Sequence, residues 1–190
     1  MVQAESVTRT QLAPGGAQGG FAVRAASAAD CEAIRSFVAG LSLRARFLRF
    51  FTPAATPSPA VLRGLCGAGR TTDVLVATAG GAVIGHAMAA DAVGPDGGRA
   101  ADIGLVVADG WQGRGVGSDL LDRIIARAAG RGVSGLELEI LSENRRMLAM
   151  IAHRWADARY EYGGAVTVRV RLAGPPAARG GGRDAALRAA

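Results

Sequence analysis

The chain has 190 residues and a formal net charge of +6, and its 22 basic residues are all arginine. This length accommodates one domain with a sizeable core, and a hydrophobic share of 49% is typical of a globular fold. The arginines are scattered instead of forming a stripe, so the charge gives little support to nucleic-acid binding. Cys31 and Cys66 show neither metal-site spacing nor a disulfide framework, and we expect no metal.

The two ends of the chain differ in composition from its middle. They are polar and rich in glycine, which predicts flexible tails at residues 1–20 and 173–190 around one folded domain at 21–172. The amino terminus has no apolar run of the signal-peptide type, and no stretch reaches transmembrane length. We therefore expect a cytoplasmic protein that does not associate with a membrane.

The first part of the predicted domain is mainly helical. A short strand at 21–25 precedes a helix that Ser27 can cap and whose apolar residues recur at helical spacing up to Leu41. Shorter helices are predicted at 42–51 and 61–66, separated by prolines. In the helix at 42–51 we expect the three phenylalanines to pack in the core and the three arginines to face solvent or substrate.

Strand-like segments follow from Asp73 onwards. Strands are predicted at 73–78, 82–93 and 99–107, and the turns between them indicate antiparallel hairpins. A helix at 118–132, a strand at 134–140, a helix at 142–155 and a closing strand at 164–172 complete the pattern. This predicts an α/β fold whose mixed, mostly antiparallel central sheet is flanked by helices. His86, in an Ala/Gly-rich strand, is expected to be structural.

A glycine-rich turn connects the strand at 99–107 to the following helix. Several backbone N–H groups without intervening side chains meet at a helix amino terminus, and this is an anion site. The chain has no lysine for a Walker A loop, and the turn follows hairpins instead of a first parallel strand, as a dinucleotide fold requires. The candidate phosphate-binding residues are Gln112, Gly113, Arg114, Gly115, Val116, Gly117 and Ser118.

Gln112, Gly115 and Gly117 match the signature Gln/Arg-x-x-Gly-x-Gly/Ala of the GCN5-related N-acetyltransferase (GNAT) family, which residues 21–172 resemble. The segments LSLRARFLRFF and ENRRML look like the acetyltransferase domain of bacterial Pat-type protein lysine acetyltransferases. The resemblance implies acetyl-CoA as co-substrate, with its pyrophosphate on the loop amides. It also implies further cofactor contacts, by the strand backbone and by a residue at the start of a later helix: Leu105, Val106, Val107 and Asn144.

The resemblance also suggests how protons move. Asp102 stands on the strand where Pat-type proteins often carry a glutamate, so we expect it to act as the general base for the attacking amine. A strand N–H at about Val106 can polarise the thioester oxygen. The tyrosine that many relatives use as an acid is absent at about Ile151, and Arg154-Trp155 replaces a usual Gly-Phe pair.

The leading hypothesis is an N-acyltransferase that moves the acetyl group of acetyl-CoA directly to an amine, on a protein lysine or a small molecule. The departures just described motivate an alternative, a non-catalytic module that binds acyl-CoA as a sensor or assembly subunit. A nucleic-acid binder is a weaker third hypothesis. The sequence leaves open the acceptor, the acyl chain length and whether the protein is a monomer or a homodimer.

Overall fold

A computed structural model describes residues 20–52, 54, 57–67 and 71–172. The predicted tails, apart from Gly20, lie outside these residues, so the predicted domain boundaries stay predictions. Within the described ranges, no helix is long and apolar enough to cross a lipid bilayer.

In the described residues, seven strands and five α-helices follow one another in nearly the order that the sequence predicts, with one additional strand at Arg159–Tyr162. The strands are β1 Ala22–Ala25, β2 Thr72–Ala79, β3 Ala82–Val93, β4 Arg99–Val107, β5 Gly135–Ile140, β6 Arg159–Tyr162 and β7 Val166–Arg171. The helices are α1 Cys31–Gly40, α2 Leu43–Phe50, α3 Pro59–Leu65, α4 Val116–Gly130 and α5 Arg145–Arg154. Ser27 caps a short 3-10 turn before α1, and Ser42 caps α2 by accepting a hydrogen bond from the Ala45 N–H.

The strands form one sheet in the order β1-β2-β3-β4-β5-β7-β6. All neighbouring strands are antiparallel except β4 and β5, which are parallel. This confirms the predicted mixed sheet. The parallel pairing is short, because its register runs only from Ala100↔Gly135 to Asp102↔Glu137. Beyond Asp102 the two strands separate, and β4 continues to Val107 without β5 beside it.

Two apolar clusters hold helices on opposite faces of the sheet. On one face, the apolar stripe of α4 packs on the inward side chains of β2 to β5 and β7, with Leu120, Leu121 and Ile124 fully buried. On the other face, α1, α2 and α3 pack around Val76 and Val106. Burial of apolar surface on both faces accounts for the placement of these helices.

The side chains of α2 do not face the directions predicted for them. Phe50 packs against the core, but Phe47 and Phe51 are 38% and 40% exposed. Arg46 is buried instead, and its Nη1 donates a hydrogen bond to the Ala39 carbonyl at 3.0 Å. The prediction of three core phenylalanines was therefore wrong for two of them, because α2 turns Arg49 towards β4 and Arg46 towards the end of α1.

Two cysteines form a disulfide bond that their spacing in the sequence did not predict. Cys31 at the start of α1 and Cys66 after α3 form a disulfide, with their Cα atoms 5.3 Å apart. They are separated by 35 residues in sequence, and the contact between α1 and α3 brings them together. Two isolated cysteines at this separation carry no local signal of pairing.

His86 is structural, as the sequence predicts. It is 1% exposed, and its Nε2 lies 2.8 Å from the Leu65 carbonyl oxygen. A carbonyl only accepts, so Nε2 carries the proton and donates. Desolvation lowers the pKa of His86 to about 4, with the charge of Arg49 acting in the same direction and the hydrogen bond to Leu65 opposing it. The imidazole is therefore neutral in the folded protein near pH 7.

This neutral histidine predicts a pH dependence of stability. Between about pH 6.5 and pH 4 the unfolded chain takes up a proton that folded His86 does not, so the free energy of unfolding falls as the pH falls through this window. His86→Gln keeps an N–H donor but does not titrate. Urea titrations across the window should show wild type losing roughly 3 kcal/mol more than the variant. Parallel pH profiles for the two proteins would contradict the assignment.

Candidate active site

The separation of β4 from β5 leaves a row of backbone groups at the open edge of β4. The Ala108 N–H donates to the Ile84 carbonyl at 2.9 Å, at the end of the β3–β4 ladder. Because successive residues of a strand direct their N–H groups to opposite edges, Val106 is bonded to β3. Leu105 and Val107 direct their backbone groups to the open edge. The donor predicted at about Val106 therefore moves to one of these two neighbours.

The glycine-rich turn lies at the end of this open edge. Gly113 and Gly115 have φ angles of 78° and 84°, a conformation that glycine adopts without a steric penalty. Gly115 is the N-cap of α4, which is 15 residues long and begins at Val116. The first N–H groups of this helix have no partner within the helix and, with the helix dipole, favour an anion.

Gln112 connects the turn to two other elements. Its Nε2 donates to the Val107 carbonyl at 3.1 Å, and its Oε1 accepts from Arg146 Nη1 at 3.0 Å. One side chain thus caps the open end of β4 and contacts the first turn of α5. This position explains why a glutamine at the start of the turn suits the site: only a side chain with both a donor and an acceptor satisfies both partners.

A cleft of about 720 Å³ runs from the turn along β4 to α2 and α5. The sequence-predicted residues that line it are Leu105, Val106, Val107, Gln112, Gly113, Gly115, Gly117, Ser118 and Asn144. Two others do not. The Arg114 guanidinium lies over the Trp111 ring, 5.2 Å from its centroid, and the Val116 side chain is buried in the core under α4. Val116 can contribute only its backbone N–H.

Four arginines also line the cleft: Arg44, Arg49, Arg145 and Arg146. The sequence predicts that Arg44 and Arg49 face solvent or substrate, but it does not single out Arg145 and Arg146. Arg145 and Arg146 form the first turn of α5, where positive charge is unfavourable for the helix dipole. Asn144 is the N-cap of this helix, and its side chain accepts from the Met147 N–H at 3.3 Å. The repulsion between these two arginines and the positive end of the helix is relieved when an anion binds between them. The cleft thus suits a ligand with several negative charges.

A smaller pocket of about 90 Å³ adjoins the cleft. Asp102 and Glu139 line it, and five residues line both spaces: Leu48, Arg49, Leu105, Asn144 and Met147. Asp102 is exposed to the pocket, and desolvation by the surrounding walls raises its pKa above the usual value. Arg49 opposes this shift, whereas Glu139 and Glu137 add to it. A carboxylate with a raised pKa is a stronger base than an ordinary aspartate.

The sequence predicts that Arg49 faces solvent or substrate but does not predict its contact with β4. Its guanidinium lies against Gly104 of β4, its Cζ is 5.1 Å from the centroid of the Phe50 ring, and its Nε is buried without a partner among the described residues. Desolvation lowers the pKa of this group. The available signal was Gly104 itself, since a glycine in a strand interior marks a close approach by another group.

The comparisons with known proteins agree with this geometry. Residues 42–154, more than half of the chain, match the model of the acetyltransferase (GNAT) family. The GNAT domain of S. lividans Pat is 27% identical, with a TM-score of 0.69, and the match covers 80% of this chain and 90% of that one. No curated protein sequence matches the chain.

Two further solved structures are similar. A cAMP-binding acyltransferase from Mycobacterium smegmatis is 25% identical, with a TM-score of 0.54 and coverage of 82% of this chain and 44% of that one. A phosphinothricin acetyltransferase from Sinorhizobium meliloti, solved with acetyl-CoA, has the same fold at 20% identity and a TM-score of 0.62, with coverage of 80% and 89%. The matched family, the fold and the phosphate-type turn agree: the chain belongs to the GNAT family and is an N-acetyltransferase that uses acetyl-CoA.

Proposed function

We propose that the enzyme transfers the acetyl group of acetyl-CoA to the side-chain amine of a protein lysine, with Asp102 as the general base. The observation that carries this proposal is the junction of the two spaces. The large cleft, which suits a polyanionic cofactor, opens into the small pocket that contains Asp102. A direct transfer needs both substrates to meet at one point, and this junction is such a point.

The cleft supports a definite placement of acetyl-CoA. The N–H groups at 113–117 bind the pyrophosphate, and Arg44, Arg145 and Arg146 supply positive charge along the cleft. The pantetheine arm then lies along the open edge of β4, where the backbone groups of Leu105 and Val107 are directed towards it. This places the thioester at the end of the cleft nearest to Asp102.

The small pocket supports a cationic acceptor. A lysine arrives as an ammonium ion and must lose a proton before it can attack. Asp102 and Glu139 attract the ammonium ion, and the raised pKa of Asp102 suits it to accept the proton. The neutral amine then attacks the acyl carbon and the C–S bond breaks. CoA leaves as a thiolate that needs no separate acid, because the second proton of the nitrogen neutralises it.

Two observations favour a protein lysine over a small amine. The chain resembles the GNAT domain of S. lividans Pat, and its motifs are similar to those of Pat-type protein lysine acetyltransferases. In addition, exposed apolar side chains on α2, Leu43 and Phe47, lie on the same helix as the pocket residues Leu48 and Arg49. A protein acceptor can cover such side chains while its lysine enters a pocket of this small volume.

The alternatives are weaker. The family match and the intact junction favour an enzyme over a non-catalytic acyl-CoA sensor. Many of the described arginines form ion pairs with carboxylates, as Arg131 does with Asp73 and Asp91, which does not favour a nucleic-acid surface. The cytoplasmic location and the choice between monomer and homodimer stay predictions.

The acceptor class is tested by incubating the protein with acetyl-CoA and two sets of amines, and by following the acetylated products by mass spectrometry. One set is a library of folded lysine-bearing proteins and peptides; the other is a panel of small amines and amino acids. Acetylated lysines in the first set support the proposal. Efficient turnover of small amines with untouched proteins would contradict it.

The base assignment predicts a change in the pH profile. Activity requires ionised Asp102, so kcat/KM should fall as the pH falls through the pKa of Asp102, above the usual aspartate value. Asp102→Asn should reduce kcat/KM by about 10²–10⁴-fold and remove this acidic limb. Glu139→Gln removes a charge that raises the pKa and should move the limb to lower pH. An Asp102→Asn profile that matches wild type would exclude this base.

The cofactor placement predicts a loss of affinity in the turn. Gly115→Glu puts a carboxylate at the positive end of α4 and should weaken CoA binding at least about tenfold in calorimetry. Gly115→Asn, which tolerates a positive φ, measures the backbone effect without the charge. Gly110→Glu, outside the cleft and with open space around it, is the matched control and should bind normally. Equal affinities in both glutamate variants would overturn the placement.

A further inference from the structure

Arg49 is a half-buried cation that forms no ion pair with the described residues. Its Nε is buried and has no hydrogen-bond partner in the described part of the chain, and no side-chain hydrogen bond or ion pair of the described residues includes it. A guanidinium ion removed from water is costly unless an anion or several acceptors compensate for the loss of hydration. The position of Arg49 therefore suggests that an anionic group binds to it during the function of the protein.

The surroundings hold this cation in one place. The Phe50 ring lies beside the guanidinium, and Gly104 of β4 lies against it. A Cβ atom at position 104 would overlap with Arg49 Nη2 and Cζ. The glycine therefore makes room for the guanidinium on the surface of the strand, and any side chain at 104 would displace it.

The Arg49 guanidinium lies where the large cleft meets the small pocket that contains Asp102. Arg49 lines both spaces. Asp102 and Val106 flank Gly104 on the same face of β4, each roughly 7 Å along the strand. Arg49 and Asp102 influence each other's pKa but do not form an ion pair within 4.0 Å. A small group can therefore lie between the base and the cation.

Acyl transfer creates an anion at such a junction. When an amine attacks a thioester, the π electrons of the carbonyl move to the acyl oxygen and form a tetrahedral oxyanion. Donors placed in advance around this oxygen in a site that excludes water are among the strongest sources of rate enhancement. The open-edge N–H groups of β4 are directed into the same space but carry no formal charge.

We propose that Arg49 is a catalytic residue that binds the oxyanion of the tetrahedral intermediate. This inference rests on the proposed function for the position of the thioester. Asp102 takes one proton from the ammonium ion, the lone pair of the resulting amine forms the C–N bond, and Arg49 holds the oxygen with a β4 N–H. The C=O bond then re-forms, the C–S bond breaks with its electron pair on sulfur, and the second proton of the nitrogen neutralises the departing thiolate. Atoms and charge balance without another reactant.

The first test measures binding and needs no acceptor. S-carboxymethyl-CoA carries a carboxylate in place of the acetyl group, and S-propyl-CoA is a neutral analogue of similar size. Calorimetry should show wild type binding the carboxylate analogue about tenfold more tightly than the neutral one. In Arg49→Met this ratio should fall to about one, with affinity for CoA itself within about twofold of wild type.

Two variants make this test specific. Gly104→Ala leaves Arg49 in the chain but displaces its guanidinium, so the ratio should fall as it does in Arg49→Met. Arg63→Met removes an exposed arginine from α3, outside both spaces, and should keep the wild-type ratio. Normal CoA binding shows that each variant is folded. A wild-type ratio near one, or an unchanged ratio in Arg49→Met, would overturn the inference.

The second test separates a catalytic from a recognition role. Arg49→Met should lower kcat by about 10²–10³-fold for every accepted amine, with little change in KM. Added methylguanidinium should restore part of the activity of Arg49→Ala. A loss confined to the KM of carboxylate-bearing acceptors would instead assign Arg49 to acceptor recognition and contradict an oxyanion role. Failure to acetylate any protein lysine would refute the proposed acceptor but would leave the binding ratio as a valid test of Arg49.

Discussion

The site depends on the point at which β4 and β5 separate. These strands pair through only three residues, ending at Asp102 and Glu137. Had the ladder continued, the backbone groups of Leu105 and Val107 would be occupied by β5 and the space beside them would be filled. Because it stops, β4 has one edge bonded to β3 and the other edge open for the next five residues. The large cleft, the glycine-rich turn and the small pocket that contains Asp102 are all arranged along this edge.

The charged groups of the site are also arranged along the open edge of β4. At one end, the start of α4 and the first turn of α5 present positive charge to the cleft, in an arrangement that an anionic ligand stabilises. At the other end, Asp102 and Glu139 present negative charge to the pocket. Arg49 lies between them, packed against Gly104. A polyanionic cofactor and a cationic acceptor can therefore approach from opposite sides and meet at Arg49 and Asp102.

Local sequence was enough to predict the parts of the site whose chemistry is local. The turn at 112–117 is recognisable because glycines, a helix start and a preceding strand occur together within a few residues. The strand and helix order followed from the hydrophobic period in the same way. These features depend on neighbouring residues, so they can be read without knowledge of the fold. Asp102, by contrast, was named from the family resemblance, and its role as the base stays a prediction.

Other features depend on contacts between distant segments, and the sequence did not predict them. Helix α2 carries aromatic and basic residues on every side, so its own pattern does not say whether Phe47 or Arg46 faces the sheet; packing against β4 decides this. The edge to which Val106 directs its N–H follows from the register with β3. The contact between α1 and α3 likewise joins two cysteines 35 residues apart.

A crystal structure of the enzyme with acetyl-CoA is the most direct test. We expect the pyrophosphate on the N–H groups at 113–117 and the pantetheine arm along the open edge of β4. We also expect the acyl oxygen within hydrogen-bond distance, about 3 Å, of the Arg49 guanidinium, with the acyl carbon facing Asp102. An acyl group bound away from the junction, or a guanidinium directed away from the acyl oxygen, would exclude a transfer in which the two substrates meet there.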